Sequence, residues 1–118
     1  MSTEETAALI ARRLELIAAG DIDALVAYDT DESLTFTPDD PVRGRDVIRG
    51  LVEGLFSGPF AAFRHFEVLR QDCEGEFAYL VCTADTAIVS IPLATDTFVV
   101  RHGAILQQSV AAQLLPKA

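Results

Sequence analysis

PLATDTFVVRHGAILQQSVAAQLL, residues 92–115, reads as two strands joined by a turn at His102-Gly103. The flanking runs are rich in β-branched and aromatic residues, and a glycine in a short connection is the usual hairpin signal. In the first strand Ala94, Phe98 and Val100 share a parity with Asp96; in the second Leu106, Val110, Ala112 and Leu114 share one with Gln108. Because successive strand side chains alternate faces, a carboxyl and an amide are expected to point the same way as their apolar neighbours. An oily face with two polar groups on it is the first place to look for a binding pocket.

Upstream of this hairpin the period of two continues, with strands expected at about 62–71 and 77–90 and turns at Glu74-Gly75 and, less regularly, Ser90-Ile91-Pro92. The first half of the chain has helical periodicity instead. Ser2-Thr3-Glu4-Glu5 fits a capping box, Leu9, Ile10, Leu14 and Ile17 follow at helical spacing, and Gly20 supplies a left-handed stop. Asp21 then caps a short second helix with Ile22, Leu25 and Val26 on its buried stripe. Leu34-Thr35-Phe36-Thr37 reads as a strand ended by Pro38, and Gly44 opens a third helix with Val47, Ile48, Leu51, Val52 and Leu55 along one face. Helices first and strands after predict an α+β fold, a mostly antiparallel sheet whose inner face the helices cover and whose outer face stays free.

At 118 residues the chain makes one domain with a sizeable core. Nine Lys and Arg against 18 Asp and Glu give a net charge of −9, which argues against nucleic acid and anionic lipid as partners. No apolar run approaches a membrane span, so a soluble cytoplasmic protein is expected. Cys73 and Cys82 are too few for a disulfide framework and read as reduced filler. His65 and His102 lie far apart with no ligand spacing around them, so neither a metal nor another cofactor is expected. His65 reads as a sheet histidine on the outer face, His102 as a solvated turn residue.

Three segments in order, AAGDIDALVAYDTDESLTF, VRGRDVIRGLVEGLF and TDTFVVRHGAI, resemble the landmarks of the NTF2-like superfamily, which includes SnoaL-like polyketide cyclases and ketosteroid isomerase. The resemblance spans nearly the whole chain. It implies a cone-shaped, strongly bent sheet wrapped round a long helix, a pocket at the open end, and homodimers built on the sheet's outer face. It also lets the isomerase residues be placed one by one. The protonated carboxylic acid falls on Asp96, the oxyanion tyrosine on Arg13, and the general base on Thr37, or on Asp40 if three residues are inserted. Only the first of these keeps its chemistry, so steroid isomerisation itself is not expected.

Around Asp96 the residue types leave two readings open. Asp96 is either paired, with Arg13 as one partner, or held neutral by burial; Gln108 is either a ligand's hydrogen-bond partner or a neighbour for Asp96. Phe98 shares the pocket-facing parity, and Tyr28 could aim its hydroxyl inward or anchor the core. Asp85 sits on a strand apolar on both parities, so its facing is undecided. The functional expectation is a pocket for a small apolar molecule, served by Asp96 and Asp40 in acid–base chemistry of the isomerase, cyclase or hydratase kind. The second reading is a ligand-binding or dimeric interaction module without catalysis.

Overall fold

A computed structural model describes residues 1–118. Its elements are α1 (Thr3–Ala19), α2 (Ile22–Val26), β1 (Leu34–Phe36), β2 (Val42–Arg43), α3 (Arg45–Ser57), β3 (Phe63–Glu74), β4 (Phe77–Thr86), β5 (Val89–Arg101), β6 (Ala104–Ala112) and β7 (Leu115–Pro116). The strands form one open sheet in the order β2-β1-β6-β5-β4-β3, with β7 paired to the start of β5. Pairing is antiparallel except for β1 against β6, which run parallel.

The helix ends follow the local chemistry of the sequence. Ser2 and Glu5 form the reciprocal capping box, Gly20 adopts φ 67° at the end of α1, and the Asp21 carboxylate accepts from the Ala24 amide to start α2. Thr3 and Thr6 tie α1 to the β3–β4 turn through the Gly75 amide and carbonyl. These bonds lay the helix across the concave face. There Leu9 and Ile10 pack with Ala78, Leu80, Phe98, Val100 and Ile105.

Three expectations need correction. Ser90-Ile91-Pro92 is not a turn: β4 ends at Thr86, and the reversal lies at Ala87-Ile88. The Thr86 hydroxyl holds that reversal by accepting from the Ile88 and Val89 amides and donating to the Pro59 carbonyl. Pro92 remains inside β5 because it sits in a bulge, where Pro92 and Leu93 face Thr83 and no ladder N–H is required. On β6 a second bulge at Leu106 puts Ile105, not Leu106, on the buried face at 2% exposure. Val47 lies on the outer side of α3, 54% exposed, whereas Ile48 is buried. No helix is long and apolar enough to cross a membrane.

Candidate functional site

Between α1, α3 and the concave face lies a cavity of about 140 Å³. Its floor is a row of small side chains. Cys82, Ala94 and Ala112 are register partners across β4, β5 and β6, where larger residues would have filled the space. The roof is the apolar stripe of α3, and the end near β3 is closed by a chain of edge-on rings, Phe56, Phe60, Phe63 and Phe66. Eighteen of the 22 lining residues are apolar; the four others are Arg13, Thr35, Asp96 and Gln108.

Those four are contiguous. Thr35 is the register partner of Gln108 across the parallel β1–β6 pair, and Arg13 reaches down from α1 onto the same spot. Arg13 Nη2 donates to Gln108 Oε1 at 3.3 Å, and Gln108 Nε2 donates to Asp96 Oδ1 at 2.8 Å. The direction follows from the groups themselves: guanidinium can only donate, so the amide oxygen is committed to Arg13 and its nitrogen to Asp96. Asp96 Oδ2 and Arg13 Nη1 make no hydrogen bond to the protein, and neither is sealed off. Arg13 Nε is sealed and has no partner. Beneath the guanidinium, 5.1 Å from its carbon, lies the ring of Phe98.

Burial pushes the Asp96 carboxyl above the ordinary carboxylate value, against the pull of Arg13 and the Gln108 hydrogen bond. Burial acts in the same way on a second carboxyl, one with no sequence motif around it. Asp29, at the end of α2 and 7% exposed, is pushed up to about 6 by desolvation, with Arg13 and Arg45 opposing. Arg45 crosses from α3 to donate through Nε to the Asp29 carbonyl at 2.8 Å, which keeps this segment packed down. Burial lowers the affinity of Arg13 for its proton, and Asp96 and Asp29 offset part of that loss. One guanidinium therefore acts on two carboxyls, the buried Asp29 and the partly buried Asp96, with no direct ion pair to either.

The remaining candidates lie elsewhere. Phe98 is fully buried in the core and does not line the cavity. Tyr28 packs at the edge of that core, and its carbonyl accepts from the Ile105 amide at 2.8 Å. Thr37 and Asp40 share a surface loop, the Thr37 hydroxyl donating to the Asp40 carbonyl at 3.1 Å, and neither reaches the cavity. Asp85 is partly exposed and pairs with Lys117 at 2.8 Å. His65 is exposed beside Glu67. Cys73 and Cys82 are both free, and no cluster of three His, Cys, Asp or Glu residues could hold a metal.

No family model and no curated protein matches the chain in sequence. Its likenesses are to solved structures. An NTF-2 like protein of unknown function from Burkholderia xenovorans LB400 superposes with a TM-score of 0.79 at 19% identity, over 100% of this chain and 90% of that one. A steroid delta-isomerase from Pseudomonas aeruginosa gives 0.72 at 20% identity, over 92% and 80%. A de novo designed protein with a curved β-sheet gives 0.79 at 13%, over 96% and 88%. The chain thus has the NTF2-like fold. That fold is shared by an isomerase and by a designed scaffold, so the activity has to be argued from the site.

Proposed function

We propose that the cavity binds a small, mainly apolar molecule and that Asp96 removes a proton from the carbon next to that molecule's one polar group and returns it, while Arg13 and Gln108 hold the carboxyl and the developing charge in place. The observation that supports this most is the unbonded Oδ2 of Asp96, the one carboxyl among the residues that line a mainly apolar hollow. A carboxyl raised in pKa by such surroundings works as an acid or base nearer neutral pH than a solvated one. Thr37 and Asp40 lie outside the cavity, so the chemistry proposed is that of a single carboxyl: it takes a proton at one position and can return it at another. Steroid-sized ligands do not suit the volume. A cavity of about 150 Å³ accommodates a molecule of roughly benzene size.

Small cyclic ketones and acids incubated with the protein in D2O provide the test. At least one compound is expected to bind and gain deuterium, and Asp96→Asn is expected to slow that gain by about 10²–10⁴-fold with little change in melting temperature. Binding without exchange, unaltered in Asp96→Asn, would favour the second reading, a ligand-binding module; the observation on its side is that no second acid–base residue lines the cavity. Ala94→Leu, which fills the floor, should abolish binding of every ligand while the protein stays folded.

We also propose a homodimer through the outer face of the sheet. Phe77 and Tyr79 are 61% and 39% exposed there, with Val81 and Val99 on the same outward parity. Light scattering at micromolar concentration should give twice the 12.8 kDa chain mass, and Phe77→Asp should halve it. A monomeric parent would rule this out.

A further inference from the structure

The polar end of the cavity presents an imbalance that a neutral ligand would leave in place. Arg13 has five N–H donors and spends one, on a neutral amide. Nε is sealed without a partner, and Nη1 is open with none. No carboxylate pairs with the guanidinium directly, since Gln108 stands between it and Asp96. A cation brought this far out of water is ordinarily met by a counter-charge with matching geometry. Arg13 is one of the residues that line the cavity.

The rest of the cavity limits what can supply that charge. Its volume of about 140 Å³ matches one ring, and its far end is walled by the edges and faces of Phe56, Phe60, Phe63 and Phe66. We propose, resting on the ligand-binding reading above, that the ligand is a monocyclic carboxylic acid, its ring among these phenylalanines and its carboxylate between Arg13 Nη1 and Asp96 Oδ2. Planar guanidinium and planar carboxylate match, and a carboxylate accepts from both sides. Asp96 then faces the ligand as the protonated acid, its Oδ1 accepting from Gln108 and its Oδ2–H donating to the ligand oxygen. Two carboxyl groups side by side cannot both stay ionised, so they share one proton, and burial shifts Asp96 in the same direction. A cationic ligand would meet Arg13 head-on, and polyanions are disfavoured by the net charge of −9.

Calorimetric titration of the full chain at pH 7 with benzoate, benzyl alcohol and benzylammonium, three probes of one ring each, decides the class. Benzoate is expected to bind at least about tenfold more tightly than either of the others, the effect of one charge-assisted hydrogen bond. Arg13→Gln should erase that preference and Arg13→Lys should restore part of it. Should benzyl alcohol or benzylammonium bind the parent as tightly as benzoate, and Ala94→Leu abolish that binding, the cavity reading stands and the carboxylate class is overturned. Should no probe bind the parent, both fall. The comparison among probes uses the parent protein alone, so it holds even if an Arg13 variant does not fold.

Discussion

Phe98→Ala is expected to lower the free energy of unfolding by about 3–5 kcal/mol. The ring is 0% exposed and sits among Leu9, Ile10, Leu80, Val100 and Ile105, from α1 and from three strands. None of these neighbours can move in without breaking a strand register or lifting α1 from the sheet. The cavity left behind would therefore persist, and its cost adds to the lost transfer energy. A domain of this size has about 5–15 kcal/mol in all, so the loss is a substantial share of the total. The ring is also the surface on which the Arg13 guanidinium rests, so ligand affinity should fall with stability. Urea denaturation measures the first effect; a loss below about 1.5 kcal/mol would mean that the two sides of the core are not joined through this ring.

Arg13→Met has the second large effect, and its size should depend on pH. Met can cover Phe98 about as well as the aliphatic part of Arg13, so little packing is lost. What goes is the cation facing both Asp29 and Asp96, and removing one member of a buried charge set costs on the order of 3 kcal/mol while the others stay ionised. The sign follows from proton binding. Both carboxyls have folded-state pKa values above the ordinary one, so the folded chain binds more protons than the unfolded chain from that ordinary value up to about 6 for Asp29. Stability contributed by these groups therefore rises as pH falls through about 6 towards the unfolded value. Without Arg13 both carboxyls shift further up. The deficit of Arg13→Met should be largest at pH 7 and above, and should shrink markedly by pH 5. Thermal melts across that range check it, and a deficit independent of pH would reduce Arg13 to a packing residue.

How much of this was legible beforehand depends on the range of the signal. Ser2-Glu5, Gly20-Asp21 and His102-Gly103 act within four residues, and each ends or turns its element as its chemistry dictates. The inward facing of Asp96 and Gln108 is likewise a matter of parity, and β5 and β6 keep that parity from Ala94 to Phe98 and from Gln108 to Ala112. The cavity itself is not a local property. It exists because Cys82, Ala94 and Ala112 fall side by side, and that alignment depends on the registers of three strands and on the bulge at Pro92-Leu93. Nothing in any one strand announces it.

Asp29 was hidden for the opposite reason. It precedes the polar run Thr30-Asp31-Glu32-Ser33 with no apolar period to mark it as buried, and the charges that act on it, Arg45 from α3 and Arg13 from α1, come from distant parts of the chain. The turn at Ala87-Ile88 was missed because Thr86-Ala87-Ile88-Val89 has neither Gly nor Pro, while Pro92 five residues on looked like the breaker. A threonine hydroxyl made the turn, and a bulge took in the proline.

The central claim is that Asp96 turns a proton-carrying carboxyl into an apolar hollow, and titration of its side-chain carbon by NMR tests this without any ligand. A midpoint above the ordinary carboxylate value, falling toward it when Ala94→Ser makes the floor more polar, is the result predicted. A midpoint at or below the ordinary value would mean that the carboxyl is solvated or fully ion-paired, and would contradict the account.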